Sequence, residues 1–90
     1  FERVALYGGG RHTREMGVAP FTRLGIRVMC ILDDAPRGEK LLGVPLVQTA
    51  KAGKDFDAVV ISSDAHQDAM TDLARAVFEP RGVAVVRIYG

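Results

Sequence analysis

The chain has 90 residues, of which 48% are hydrophobic and 26% are charged, and its formal net charge is +1. This length fits one small domain over residues 1–90, and the apolar content excludes an intrinsically disordered chain. Acids and bases nearly cancel, which gives no support for a nucleic-acid or membrane partner, because both require a concentrated basic patch. The single cysteine, Cys30, excludes an internal disulfide and fits a reducing cytoplasm. Strand-like residues at both ends lead us to expect a domain of a larger protein.

The first third of the chain predicts a strand followed by a helix. Residues 4–7 form a short, continuous apolar run that is typical of a buried parallel strand, and three glycines follow it. Residues 11–24 have a helical pattern, but Gly17 and Pro20 predict a kink or break in its middle, because proline removes a helical hydrogen bond. Gly25 then ends the helix as a C-cap glycine. The expected core residues of this helix are Met16, Val18, Phe21 and Leu24.

Two further strands are predicted in the middle of the chain. Residues 26–32 are mostly apolar and lead into 33–38, a segment rich in turn-forming residues. Residues 44–47 form a third, short strand. Because its Pro45 cannot donate to a ladder, we expect this strand at the edge of the sheet. Residues 48–53 have room for only a turn or two of helix.

A strand, a helix and a last strand complete the pattern. Residues 58–62 are another apolar run, and one of residues 63–64 then caps a helix, with Gln67 in the capping-box position. The helix ends before Pro80, and the last strand covers 83–88. The expected core residues of this helix are Ala65, Met70, Leu73, Ala74 and Val77.

Strands separated mostly by helical segments predict a parallel sheet with right-handed crossovers. We therefore expect an α/β, three-layer Rossmann-like fold. Its parallel sheet should have about five strands in the order 3-2-1-4-5.

The glycine-rich segment after the first strand is the main candidate for a function. Gly8, Gly10 and Thr13 occupy the positions of a G-x-G-x-x-G pattern, in which the glycines let the chain reverse and let its backbone approach a pyrophosphate. At the third position, the Thr13 side chain either pushes the helix outward or places its hydroxyl on a backbone carbonyl or a ligand oxygen. The alternative is a tight turn kept for geometry alone. The predicted phosphate-binding residues are Gly8, Gly9, Gly10, Arg11, His12 and Thr13.

An acidic pair follows the second strand. Asp33 lies about 20 residues after the glycine turn, where a ribose-binding acid is expected, and Asp34 comes next. A carboxylate at this place accepts hydrogen bonds from ribose hydroxyls and repels a 2′-phosphate, so it favours NAD over NADP. The alternative is an aspartate that only initiates the turn.

Two histidines and two serines follow the ends of central strands. His12 and His66 either bind a phosphate or shuttle a proton across the crevice, or they face water in the first turns of their helices. Ser62 and Ser63 lack the surroundings of a nucleophile, and we expect them to cap the helix or to line the far wall of the site. We expect neither a catalytic set nor a metal site in this chain.

Five segments also carry a family resemblance. They are VALYGGGRHT at 4–13, ILDD at 31–34, GVPL at 43–46, DAVVISS at 57–63 and VRIY at 86–89. In this order they resemble the N-terminal nucleotide-binding module of bacterial polysaccharide-biosynthesis nucleoside-diphosphate-sugar epimerase/dehydratases. They are also similar to the UDP-sugar-binding N-terminal domain of bacterial sugar O-acyltransferases, in which the same turn and acid hold a nucleotide sugar. Gly17 and Pro20 depart from the leucine-rich first helix of these proteins.

The expected function is therefore that of an NAD(H)-type nucleotide-binding domain in a larger cytoplasmic protein of cell-surface polysaccharide or nucleotide-sugar metabolism. Its ligand is a small nucleotide, and its protein partner is a neighbouring domain or a second copy of the chain. Two alternatives stay open: a UDP-sugar-binding domain of a sugar acyltransferase-like protein, and a ligand-free regulatory or oligomerisation domain.

Overall fold

The structure is a computed structural model of an α/β domain with a mostly parallel, mixed sheet of six strands. It describes residues 2–8, 13, 17–34, 38, 40–41, 43–53, 55–62 and 67–87. The strands are β1 (Arg3–Tyr7), β2 (Arg27–Asp33), β3 (Lys40–Leu41), β4 (Val44–Gln48), β5 (Ala58–Ile61) and β6 (Ala84–Arg87). The helices are α1 (Ala19–Arg23) and α2 (Gln67–Phe78), and short 3-10 turns cover Thr49–Lys51 and Glu79–Arg81.

The order of the strands across the sheet is β3-β4-β2-β1-β5-β6. Four neighbouring pairs are parallel, and β3 pairs with β4 in the antiparallel direction. The predicted wholly parallel sheet of five strands in the order 3-2-1-4-5 was therefore wrong in its outer part, since β3 adds a sixth, antiparallel strand. The three-layer Rossmann-like arrangement stays a prediction.

The added strand also corrects the expected place of Pro45. Gly43, with φ +74°, lets the chain fold back, and Lys40 then lies opposite Pro45. Leu41 is 8% exposed and packs into the core, which stabilises this hairpin. Because β3 has only two residues, its ladder with β4 requires few backbone donors, and the missing N–H of Pro45 is tolerated.

The predicted break in the first helical segment is confirmed. Gly17 has φ +71°, and α1 begins at Ala19 with Pro20 in its first turn, where a missing N–H removes no helical hydrogen bond. The N–H of Gly17 donates to the carbonyl of Thr13 at 3.0 Å. The positive φ therefore interrupts the helical conformation at Gly17, before α1 begins.

The predicted glycine C-cap of this helix is confirmed as well. The N–H of Ile26 donates to the Phe21 carbonyl at 2.9 Å, and the N–H of Gly25 donates to the Thr22 carbonyl at 3.0 Å, the pair of bonds that defines a Schellman motif. Phe21 and Ile26 pack against the same core cluster. Leu24, which we expected in the core, is 76% exposed, because it is the C-cap residue and the chain turns inward only after it.

Helix α2 buries a face centred on Thr71, Ala74 and Phe78, which are all nearly inaccessible to solvent. Met70 and Val77 are partly buried on the margins of this face, and α2 ends at Phe78, as the proline at position 80 predicts. The expected burial of Leu73 was wrong, since it is 44% exposed. At about 100° per residue, Leu73 points roughly 130° away from the buried face.

The core is divided between the two faces of the sheet. Alternate residues of each central strand point to opposite faces, as the two-residue period of a strand requires. On one face, residues of β1, β2 and β5 pack with α2 and Phe56. On the other face, Val4, Leu6, Ile31 and Val60 pack with Val18 and Phe21. No helix in the described part of the chain is long and apolar enough to cross a membrane.

Candidate functional site

The order in which strands are added to the sheet reverses at β1, between β2 on one side and β5 on the other. From β1 the strands proceed outward through β2 and β4, and the chain then returns to place β5 and β6 on the other side of β1. In open α/β sheets, ligands bind at such a switch point, outside the carboxyl ends of the strands. The residues that directly follow β1 and β5 are Gly8 and Ser62.

Position 8 accepts only glycine in this backbone conformation. Its φ is +126°, a value that side chains with a Cβ rarely adopt, and an added Cβ would lie 2.7 Å from the Ser62 carbonyl oxygen and 3.3 Å from Met70 Cε. The Gly8 N–H donates to the Leu32 carbonyl at 2.8 Å, so Gly8 is still tied to β2 while its own chain turns away. The close approach of the two strand ends therefore explains the first glycine of the motif.

Thr13 and Ser62 form a buried hydroxyl pair behind this turn. Thr13 is fully buried and Ser62 is 2% exposed, and their hydroxyl oxygens are 2.6 Å apart. The Thr13 hydroxyl donates to the Gly8 carbonyl, and the Ser62 carbonyl lies 3.3 Å from the same oxygen. Because Thr13 has one hydroxyl hydrogen, Ser62 donates in the pair when Thr13 donates to Gly8. Of the expected uses of this threonine, the structure shows the bond to a backbone carbonyl.

Asp33 and Asp34 are directed to opposite faces of the sheet. Asp33 is the last residue of β2, one position after Leu32, and thus points to the face that contains Ile31. Asp34 instead receives a hydrogen bond from the Tyr7 hydroxyl, which lies 2.9 Å from both of its carboxylate oxygens. Tyr7 belongs to the opposite core cluster, together with Leu32.

Tyr7 is the residue that the sequence did not single out. Its side chain is 1% exposed, and burial, followed by the hydrogen bond to Asp34, raises its pKa to about 12. The nearby Thr49 hydroxyl opposes this rise. The sequence did contain one signal for this contact, which is a tyrosine at the end of an otherwise aliphatic strand. A buried phenol usually has a hydrogen-bond partner, so a partner for Tyr7 was to be expected.

The structure brings five of the predicted binding residues to one edge of the sheet. They are Gly8, Thr13, Asp33, Asp34 and Ser62. The other six lie outside the described residues, and they are Gly9, Gly10, Arg11, His12, Ser63 and His66.

The thiol and the carboxylates elsewhere in the domain form no second reactive cluster in the part of the chain that the structure describes. Within that part, no three His, Cys, Asp or Glu residues lie close enough to hold a metal ion. Burial, and to a smaller extent the Asp55 carboxylate, raises the pKa of the Cys30 thiol to about 11. At neutral pH this thiol is therefore protonated and a poor nucleophile.

The opposite, amino edge of the sheet has a different character. A hollow of about 340 Å³ lies there between α1 and the starts of β2 and β4, with Val18, Ile26 and Val44 in its wall. A second hollow of about 350 Å³ is lined by Glu2, Arg3, Gly25 and Arg27. These hollows lie at the wrong end of the strands for the ligand position that the topology favours.

The chain matches no protein-family model, no curated protein and no solved structure.

Proposed function

We propose that this chain is a nucleotide-binding domain that holds an NAD(H)-type dinucleotide over the carboxyl ends of β1, β2 and β5. The proposal places it in a larger cytoplasmic protein of cell-surface polysaccharide or nucleotide-sugar metabolism. The observation that carries it is the Gly8 turn at the switch point of the sheet, where φ is +126° and a Cβ would meet the Ser62 carbonyl.

The turn supports phosphate binding for a steric reason. A backbone free of Cβ atoms can approach a pyrophosphate closely, and the first N–H groups of a following helix are available to an anion. By their place in the sequence, Gly9, Gly10 and the N–H groups of Arg11 and His12 bind the pyrophosphate in this proposal. Thr13 acts behind them, since its buried hydroxyl holds the carbonyl of Gly8.

The acidic residue at the end of β2, Asp33, supports the binding of a ribose in this proposal. In the proposal, Asp33 accepts hydrogen bonds from the ribose hydroxyls and repels a 2′-phosphate, which selects NAD over NADP. By their place in the sequence, Ser63 and His66 contribute to the far wall of the site in this proposal. Ser62 itself has a supporting role because its hydroxyl is paired with Thr13.

Isothermal titration calorimetry of the chain with NAD, NADP, UDP-glucose and coenzyme A tests the proposal. We expect NAD to bind with a submillimolar Kd and more tightly than NADP, and Gly10→Val to abolish the binding heat. Gly53→Val is the matched control, since Gly53 has no positive φ and a Cβ there meets nothing closer than 3.6 Å. Preferential binding of UDP-glucose would replace the dinucleotide by a nucleotide sugar. No binding of any of the four below 1 mM, about −4.1 kcal/mol, would reject the proposal.

A ligand-free oligomerisation domain is the second candidate, and the outer strand β6 favours it. Val85 and Val86 are only partly buried, and within the described residues nothing pairs with the outer side of this strand. Exposed edge strands can pair with a second chain. Sedimentation equilibrium separates the candidates: a monomer that binds a nucleotide rejects oligomerisation as the function, and a dimer that binds none supports it.

A further inference from the structure

The hydrogen bond between Tyr7 and Asp34 joins the ends of two central strands. Tyr7 is the last residue of β1, and Asp34 is the first residue after β2. The phenol oxygen lies 2.9 Å from each carboxylate oxygen, so one donor serves both. Bonds to a charged acceptor are stronger than neutral ones, which makes this contact suited to holding a turn in place.

Apart from their mutual hydrogen bond, the surroundings of the two side chains hold Tyr7 in place but not Asp34. Tyr7 is 1% exposed and packs in the cluster that contains Leu32, Ile61 and Phe78, so its ring has a single environment. Asp34 is exposed, and apart from Tyr7 its contact in the described structure is a weak bond of 3.5 Å from the Gln48 amide to its carbonyl. The buried ring therefore determines where the exposed carboxylate lies.

Fixing Asp34 also determines the orientation of its neighbour. Asp33 pairs in register with Gln48 and points to the face of the sheet opposite to Tyr7. If Asp34 turned freely, the backbone between the two residues would rotate and the Asp33 carboxylate would move with it. Holding the Asp34 carboxylate on one face keeps the Asp33 carboxylate on the opposite face, which contains Ile31.

We propose that Tyr7 is a positioning residue of the nucleotide site, whose bond to Asp34 holds the end of β2 so that Asp33 meets the ribose hydroxyls of the ligand. This inference rests on the proposed nucleotide-binding function. The advantage is pre-organisation: a turn that is already ordered loses less conformational entropy when the ligand binds. Phosphate contacts at the glycine turn do not depend on this bond.

The test compares NAD with inorganic pyrophosphate, which has no ribose, in calorimetric titrations of Tyr7→Phe, Asp34→Ala, Asp34→Asn and the double variant Tyr7→Phe/Asp34→Ala. We expect Tyr7→Phe and Asp34→Ala each to weaken NAD binding about tenfold, because each removes the one hydrogen bond that holds the end of β2. The affinity for pyrophosphate should stay unchanged within about twofold. Asp34→Asn should retain most of the affinity because its amide oxygen still accepts from the phenol. The double variant should bind NAD no more weakly than the single variants, since both remove the same contact.

The outcomes distinguish a failure of this inference from a failure of the function on which it rests. If the wild-type chain binds NAD and neither Tyr7→Phe nor Asp34→Ala changes its affinity, the positioning role is overturned while the nucleotide site stands. Equal losses for NAD and pyrophosphate overturn it too, since they indicate a general loosening of the edge, as does a double variant with additive losses. A wild-type chain that binds neither probe overturns the proposed function and this inference together. Asp34 is exposed, so its variants keep the experiment decisive even if Tyr7→Phe folds poorly.

Discussion

The two edges of the sheet use polar groups in opposite ways. At the carboxyl edge, Thr13, Ser62 and Tyr7 are nearly inaccessible to solvent, and their hydroxyls bond to one another, to backbone carbonyls or to a carboxylate. At the amino edge, Arg3 pairs with Asp57 at 3.5 Å with both side chains well exposed. Arg27 lies directly across the ladder from Arg3, so two residues of like charge are neighbours in the register there.

This difference indicates which edge is built to a fixed geometry. A buried hydroxyl that loses its partner costs about 1–3 kcal/mol, whereas an exposed ion pair contributes about 0–1 kcal/mol. Breaking the contacts of the carboxyl edge therefore costs more free energy than breaking those of the amino edge, so the carboxyl edge is the one held in a single conformation. A site that must meet a ligand in a defined orientation is expected at the first kind of edge.

The largest expected effect is that of Gly8→Ala. The new Cβ has to lie 2.7 Å from a backbone oxygen at a φ of +126°, so we expect a loss of about 3–5 kcal/mol in the free energy of unfolding. Gly25→Ala is the control, because Gly25 also has a positive φ but no atom lies within 4 Å of its added Cβ. It should cost only about 1–2 kcal/mol. Urea denaturation measures both, and equal losses would show that the carboxyl edge is no tighter than the α1 turn.

Next in size is the pH dependence that Tyr7 confers. Its pKa is about 12 in the folded chain and about 10 when unfolded, so the phenol contributes stability that is fully present below pH 10. Above pH 10 the unfolded chain loses this proton first, and stability falls until about pH 12, by about 2–3 kcal/mol in total. Urea denaturation at pH 9, 10 and 11 measures the fall. Tyr7→Phe should show a smaller slope in this window, and an identical slope would remove Tyr7 as its source.

A smaller effect is expected from the hydroxyl pair of Thr13 and Ser62. Thr13→Val keeps the shape of the side chain but leaves the Ser62 hydroxyl and the Gly8 carbonyl without this partner, at a cost of about 1–3 kcal/mol. Ser62→Ala should cost less, and the double variant should be more stable than the sum of the two losses predicts, by about 1 kcal/mol. Thermal unfolding of the four chains gives this coupling energy. Strict additivity would mean that the two hydroxyls do not interact.

The smallest effect is expected at the amino edge. Asp57 accepts hydrogen bonds from the N–H groups of Glu2 and Arg3, each at 3.1 Å, and these bonds lower the pKa of its carboxyl. A lowered pKa stabilises the folded chain above the ordinary value of 3.8, and this contribution disappears as the pH falls below it. Asp57→Asn should therefore lower the Tm slightly at pH 7 and not at pH 2. A loss as large as that of Thr13→Val would remove the difference between the two edges.

The sequence predicts local features of this fold better than distant ones. The strands predicted at 4–7 and 58–62 are observed as Arg3–Tyr7 and Ala58–Ile61. The break at Gly17 and the C-cap at Gly25 are confirmed as well, because each of these features depends on a few neighbouring residues. Strand β3 was not predicted, since two residues carry no periodicity and pair only once β4 is in place. Leu24 and Leu73 fit a helical pattern but lie outside the buried faces.

The candidate site divides in the same way. The sequence identified Gly8, Thr13 and Asp33 because a strand, a turn and a helix give them fixed spacings. It missed the bond from Tyr7 to Asp34, which joins residues 27 positions apart and depends on the register that sets Tyr7 opposite Leu32. Spacing along the chain contains no information about such a register.

The most direct test of the account is a map of backbone amide shifts in 15N-labelled chain as NAD is added. The account predicts that the largest shifts cluster at the carboxyl edge, at Gly8, Asp33, Asp34 and Ser62, while Arg3, Gly25 and Arg27 at the amino edge stay unchanged. Shifts concentrated at the amino edge, or no shifts at millimolar NAD, would contradict it.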